Sequence, residues 1–487
     1  MAAAVALPVF ALAFVFAAVL VWRRPLAALY AFVVGLALHN LVMALLYGAG
    51  VHGNALEAIG AWKEGLLAVA LLRVARDSWG ARRLPFRPGL VDALALAFGA
   101  IVVLYALIPQ SALGGGAGTK AVLYGLRHDL VPIAAFFLGR SLVLAGRELR
   151  RLAWTILGVA AAAGAYGLLD DYLVSLDWWG RSGARGYFHE QLGFDYNGPR
   201  GLPENFAFNT SDGLFRRLVS TFLSPLATGY LLVVALLLAP LRRWAVPLAA
   251  VAGAGLLFTI SRSSFAALAL GLVVLALARR QRWPLAAAIA TVGLGIAFTA
   301  TFTHFAPRTH FTPTELRQQE ANAKRLGGKK ATGALSTGEP SFHSHLVNLR
   351  DGLRTVAEHP QGYGLGNAGA TAARFGVRLK AGESNYTEIG VETGLVGMVL
   401  FVAWNLALLA ALLRAAWTAA DETKRRAAAG VAACLAAVLA LAIQTDAYGV
   451  PWLGYCLWWL GGALLVPLAL RVPALATRAE PSVRAQG

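Results

Sequence analysis

Apolar runs of about twenty residues recur from one end of this chain to the other, each long enough to cross a hydrocarbon core roughly 30 Å thick. Inside that core the backbone finds no water, so each run must close its own hydrogen bonds as a helix. Of the 487 residues, 58% are hydrophobic and 14% charged, where a soluble globular domain carries roughly a quarter charged. The expected fold is all-α: a polytopic membrane helix bundle of about 12–14 spans with two long structured outer-face loops.

The spans fall at roughly 3–22, 26–47, 55–73, 89–108, 121–139, 152–171, 218–239, 244–261, 263–279, 284–303, 389–413, 427–445 and 453–470. Arg23-Arg24, the group from Arg73 to Arg87, the group from Arg140 to Arg151, Arg242-Arg243, Arg279 to Arg282 and Lys424 to Arg426 alternate onto one side. Short arginine-rich loops stay in the cytoplasm, which puts the N-terminus outside and the tail from Arg471 inside. The first span lacks a basic leader and reads as retained, not cleaved. Cys434 and Cys456 both sit in apolar runs and imply neither a disulfide framework nor a metal site. The formal charge of +18 lies in loops between spans, so topology and anionic lipid-linked ligands explain it better than nucleic acid does.

The chain divides into an N-terminal transmembrane bundle (1–171), an aromatic outer loop (172–216), an arginine-bearing transmembrane core (217–303), a large basic outer loop (304–388), C-terminal transmembrane helices (389–471) and a cytoplasmic tail (472–487). The first outer loop is rich in Trp, Tyr and Phe, suited either to an interfacial belt or to stacking on sugar faces. In the second, a charged helical piece from Pro313 and a Gly/Ser/Thr linker lead into SFHSHLVNLRDGLRTVAEHP. There Leu346, Leu349, Leu353 and Val356 recur at helical spacing, as in a surface-lying amphipathic helix. Pro360 and the glycines at 362, 364 and 366 then mark a stop and turn.

Polar chemistry gathers between Ser341 and Phe401 and at a few charges near membrane depth, where charge is costly and faces an interior or a watery cavity. Arg262, in FTISRSSF, stands at the outer junction of two spans beside Ser261, Ser263 and Ser264. Its guanidinium fork matches phosphate oxygens, although an arginine snorkelling to headgroups reads the same way. Arg216 and Arg217 open the span RRLVSTFLSPLATGYLL, as ligand groups or as anchors. Lys63 and Glu64 lie inside the third span and are expected to pair with other buried charges, and Arg127, His128 and Asp129 either bind ligand or lock helices. Asp170 and Asp171 read as solvated helix ends. His343, His345 and His359 lack zinc-ligand spacing, and no metal or cofactor is expected. Glu392 falls inside the eleventh span as a hydrogen-bonding group, whereas Glu383 precedes that span and is placed to accept a proton from an attacking hydroxyl.

Three segments together resemble the O-antigen ligase and O-antigen polymerase superfamily of membrane glycosyltransferases. RRLVSTFLSPLATGYLL is similar to the family's Arg-x-x-Gly-Thr-Phe-x-(Asn/Ser)-Pro start, with Arg217 as the arginine and Ser220 in the glycine position. LLFTISRSSFAALALG resembles its Thr-x-Ser-Arg junction, with Arg262 as the arginine. GLRTVAEHPQGYGLGNAG followed by ESNYTEIGVETGLVG resembles its His-Pro-x-Gly-x-Gly-x-Gly turn and closing helix. The likeness runs from about 200 to 445 and implies a GT-C-like bundle in the cytoplasmic membrane with an extracytoplasmic site. It also implies transfer of a glycan from a polyprenyl-pyrophosphate carrier to a hydroxyl, without metal and with inversion. Arg262, Arg217 and Glu383 are then the expected catalytic groups. Arg216, Arg127, His345, Arg350 and Tyr386 are the expected pyrophosphate and glycan contacts. The partners implied are a polyprenyl-pyrophosphate-linked oligosaccharide donor, a glycan or glycolipid acceptor, membrane lipids and other polysaccharide-assembly proteins.

Family ligases carry histidine eleven residues before the Glu-x-Gly glycine, and here that count from Gly394 reaches Glu383. The departure favours a polymerase-like member, with ligase as the alternative and one of the nearby histidines as an alternative base. The basic outer loop, including Lys324, Arg325, Lys329, Lys330, Arg350, Arg374, Arg378 and Lys380, would concentrate anionic headgroups. A glycolipid transporter or flippase would instead show inverted repeats and broken midplane helices, and no repeat divides this chain. A noncatalytic assembly scaffold is the third class.

Overall fold

The computed structural model describes residues 2–194, 196–317, 340–378, 380 and 384–465. In chain order the helices are α1 (Ala2–Arg23), α2 (Leu26–Gly48), α3 (Gly53–Gly60), α4 (Trp62–Ala81), α5 (Leu90–Leu107), α6 (Thr119–Ser141) and α7 (Gly146–Leu173). Two short helices follow, α8 (Leu176–Arg181) and α9 (Gly183–Gly186), then α10 (Pro225–Leu238), α11 (Val246–Phe258), α12 (Arg262–Arg279) and α13 (Trp283–Thr301). The last are α14 (Pro340–Glu358), α15 (Gly369–Arg374), α16 (Asn385–Thr418), α17 (Glu422–Leu441) and α18 (Pro451–Leu464). Among the described residues eight helices are long and apolar enough to cross a membrane, and α10 and α11 are shorter apolar helices. Within the described residues every expected span falls on a helix, and the protein is a multi-pass membrane protein.

Three spans differ from expectation, each for a local reason; one, 389–413, is interrupted at Gly394. The run 55–73 is broken at Ala61 into α3 and α4. The run 218–239 becomes helical only at Pro225, because Ser220 and Leu223 hold positive φ of 49° and 51°. Ser224 then caps the helix by accepting from the Ala227 N–H at 3.3 Å, and proline at the first helical position loses no hydrogen bond.

The bundle is layered by side-chain size. α1 faces outward along its length, with only Val21 buried, as a lipid-facing helix requires. α17 and α18 are central. The alanine-rich face of α17 lets α12 approach closely, and the interior of α18 buries Trp452, Trp458 and Trp459. Backbones come nearest where glycines meet: a Cβ on Gly139 would stand 2.0 Å from the Trp459 carbonyl, and one on Gly462 2.2 Å from that of Phe136. Small residues at crossings are how membrane helices gain contact when burial from water contributes little.

The arginine-rich turns converge on one end of the bundle. There Arg73 and Arg76 lie over Trp22, and buried Arg140 is held by both oxygens of Asp92 at 2.7 and 3.1 Å. The other end carries a folded cover. β1 (Ala207–Thr210), β2 (Gly213–Arg216) and β3 (Arg308–Thr309) form a small antiparallel sheet that joins the two outer loops. Arg200 ties the same loops, binding Asp177, Glu315 at 3.4 Å and the His310 carbonyl at 3.2 Å. The Arg200 hydrogen bond holds the exposed Asp177 carboxyl below its ordinary range.

Asp170 and Asp171 are not solvated helix ends. Both are buried, facing Arg216 at 3.0 and 3.5 Å, and Asp170 also accepts from the Trp179 indole at 2.8 Å. The aromatic cover folds back over the end of α7 and removes the pair from water.

Candidate active site

The α11–α12 junction is built from strained backbone. Ile260 has φ of 49°, a conformation a β-branched residue adopts only when its surroundings impose it. The surroundings here are specific. The Leu218 N–H donates to the Phe258 carbonyl at 2.9 Å, and Arg217 donates from Nε to the Thr259 carbonyl at 2.8 Å and from Nη2 to that of Ile260 at 3.5 Å. The sharp turn presents Arg262 at the first position of α12, where Ser261 caps the helix by accepting from the Ser264 N–H at 3.3 Å. Arg262 lies 5.8 Å from the ring centre of Phe208, on the hairpin of the cover. Arg217 and Arg262 therefore share one turn. Ser220 explains the glycine of the family pattern: its φ of 49° is glycine-like, and its hydroxyl donates to the Ala163 carbonyl at 2.6 Å.

The glycine turn is stitched into a break in α16. At Gly394 (φ 72°, ψ 179°) the helix is interrupted. The Tyr363 and Gly364 N–H groups donate to the exposed carbonyls of Val391 and Glu392 at 2.6 and 3.0 Å, and the Leu395 N–H to that of Pro360 at 2.8 Å. The Glu392 carboxylate accepts from the N–H groups of Gly366 at 2.8 Å and Ala368 at 3.2 Å, which is the hydrogen-bonding role expected of it. Asn367 then knits the turn to the 108–118 loop, accepting from Gly116 and Ala117. Positive φ at Gly362, Gly364 and Gly366 leaves no choice of residue, since a Cβ on Gly366 would lie 2.7 Å from the Ala121 carbonyl carbon. Gly366→Ala is expected to cost about 2–4 kcal/mol of stability. Gly116→Ala, where a Cβ meets open space, should be neutral; thermal unfolding of the purified proteins compares them.

Beside the turn, His128 of α6 faces Asp129 from Nδ1 at 2.8 Å and Asp446 from Nε2 at 3.1 Å. Asp446 also accepts from Asn385 at 2.6 Å and the Gly449 N–H at 2.7 Å. His128, Glu388 and Asp446 bring one ligand atom each within 4.8 Å of one another, a grouping whose members are scattered in the sequence. A metal there would have to displace one of the His128 contacts. Packing joins this network to the arginine turn: Ser264 lies against Gly229, and the next residue, Tyr230, shares a 2.6 Å hydrogen bond with Thr445.

The remaining expected residues are dispersed. Arg216 is buried in its aspartate pair. Arg127 reaches Glu64 at 3.4 Å and shares the Tyr124 ring with Arg374, at 4.4 and 4.3 Å. Tyr386 donates its hydroxyl to the Leu439 carbonyl at 2.8 Å, and Arg350 is exposed on α14. His345 lies on α14 and is partly buried, while His359 stacks on Tyr363 at 4.5 Å. Lys63 bonds the Gly60 carbonyl at 2.7 Å and faces Glu64 at 3.6 Å. Glu383, Lys324, Arg325, Lys329, Lys330 and the tail from Arg471 lie outside the described residues. Asp446 and Asn385 escaped the sequence reading; the available signal was an acidic residue in a short turn between two apolar spans.

No curated protein matches the chain at a significant level. Residues 247–402 match the family model for O-antigen ligase, a stretch that includes Arg262, the glycine turn and Glu392 but neither Arg217 nor Asp446. That match, confined to residues 247–402, supports the likeness to the O-antigen ligase and O-antigen polymerase superfamily.

Proposed function

We propose that this protein joins lipid-linked glycans on the extracytoplasmic face of the cytoplasmic membrane, extending an O-antigen or exopolysaccharide chain. A sugar hydroxyl of the acceptor attacks the anomeric carbon of the donor. The bond from that carbon to the polyprenyl pyrophosphate breaks with inversion, its electron pair leaves on the diphosphate, and the hydroxyl proton passes to a base. The observation that carries this reading is Arg217 lying on the very turn that presents Arg262. Fixed positive charge at the mouth of a low-dielectric bundle is what a departing diphosphate needs. The base is assigned to Glu383 by its place in the family pattern. The residues that follow it are anchored, with the Asn385 N–H on the Ala442 carbonyl at 3.0 Å and the Ser384 hydroxyl on the same oxygen at 3.2 Å.

The test is incubation of the purified protein with a synthetic polyprenyl-pyrophosphate oligosaccharide and excess chelator, followed by mass analysis. Products carrying multiples of the repeat on one carrier are expected. Transfer only to a supplied lipid-linked core acceptor would make the protein a ligase, the reading the family description favours. Movement of intact glycolipid across vesicles with no new bond would make it a transporter. Activity that vanishes with chelator and returns with a divalent cation would overturn metal independence and direct attention to His128, Glu388 and Asp446.

A further inference from the structure

We propose that the end of the bundle opposite the glycine turn holds the phosphate of an anionic phospholipid. A cleft of about 340 Å³ lies between the α12–α13 turn and the start of α17, lined by Arg279, Arg280, Arg425, Arg426, Glu422 and Trp417. Four guanidinium groups face a single carboxylate. Glu422 engages Arg425 at 2.5 Å and Arg426 at 2.7 Å, and neither Arg279 nor Arg280 forms an ion pair with a carboxylate among the described residues. The buried Nε of Arg425 has no hydrogen-bond partner. Like charges gathered this closely repel one another unless an anion sits among them. A guanidinium fork matches the oxygens of a phosphate.

The surroundings select a lipid over a dissolved phosphate. Trp244, Trp283 and Trp417 are exposed by 71%, 43% and 47%, each on or within a few residues of the cleft lining, and exposed tryptophans of this kind settle at headgroup depth. Leu241, itself part of the lining, and Leu277 beside it are exposed apolar surface along which acyl chains can run. A basic pocket between helices at the headgroup level is the form such lipid sites take. This is also the end that the arginine-rich short turns assign to the cytoplasm. The proposal does not depend on the transferase reading.

The experiment follows thermal unfolding of the purified full-length protein in non-ionic detergent during titration with phosphatidylglycerol, phosphatidylcholine or inorganic phosphate. Phosphatidylglycerol is expected to raise the unfolding temperature, as a ligand of the folded state must, while the other two leave it unchanged. The Arg279→Gln/Arg280→Gln double variant should lose most of that rise. Arg82→Gln/Arg83→Gln, equally basic and outside the cleft, should keep it. An equal rise with phosphatidylcholine, or a full rise in the Arg279→Gln/Arg280→Gln protein, would overturn the site. A rise with inorganic phosphate that the lipid does not exceed would overturn the lipid assignment. Should the double variant not fold, Arg426→Gln, at an exposed position, supplies the same test: a partial loss supports the site and full retention overturns it.

Discussion

Arg262→Ala is expected to lower glycan extension by about 10²–10³-fold, the usual effect of removing one preorganised group that faces charge developing in a transition state. Arg262 occupies the first position of α12, so its guanidinium and the positive end of the helix act on the same region. A strained turn at Ile260 and the Arg217 contacts to Thr259 and Ile260 hold it there. On the proposed mechanism the charge is therefore in place before the diphosphate departs, and no reorganisation is required as the bond breaks. Lysine keeps the charge but loses the fork, so Arg262→Lys should retain part of the activity. Single-turnover extension of a synthetic donor, with gel filtration to confirm folding, measures both variants. Extension at the wild-type rate by well-folded Arg262→Ala protein would remove the pyrophosphate clamp from the mechanism.

Asp446→Ala is expected to cost about 2–3 kcal/mol of stability, somewhat below the range for a fully buried pair because the carboxylate is partly exposed. One oxygen of Asp446 serves His128, Asn385 and the Gly449 N–H together. Alanine leaves all three donors without it and loosens α6, α16 and the 446–449 turn at once. Asp446→Asn, which keeps an oxygen in that position, should cost less. Burial works against the charge of Asp446, but His128, Asn385 and the Gly449 N–H more than offset it, and the carboxyl lies below its ordinary value of 3.8. A depressed folded value gives stability that is complete above the unfolded value and is lost as pH falls through the folded one. The gap between wild type and Asp446→Ala should accordingly stay constant from neutral pH down to about 4 and close below it. Thermal unfolding across pH checks this, and a gap that narrowed already between pH 7 and 5 would assign the effect to another group.

Helix placement was legible because it depends on chain-local quantities: twenty apolar residues suffice to define a span whatever they pack against. The glycine turn was legible for a related reason, since prolines and closely spaced glycines restrict the backbone before any partner is known. Asp170 and Asp171 went the other way. Two acidic residues at a helix end look solvated until the aromatic cover and Arg216 are seen to close over them. Ser220 is a case between: the family pattern signalled a glycine there, but the positive φ that demands one became visible only with the turn itself.

By itself the sequence determined an all-helical membrane bundle, the gathering of basic turns at one end, and the stretches on which polar groups would appear. Those features follow from hydrophobicity and charge counted along a line. Only the tertiary structure decided that Arg217 braces the turn that leads into Arg262, that the glycine turn closes a break in α16, and that His128, Asn385 and Asp446 form one network. Hydrogen bonds reach across about 3 Å of space irrespective of separation along the chain, and His128 stands 318 residues from Asp446.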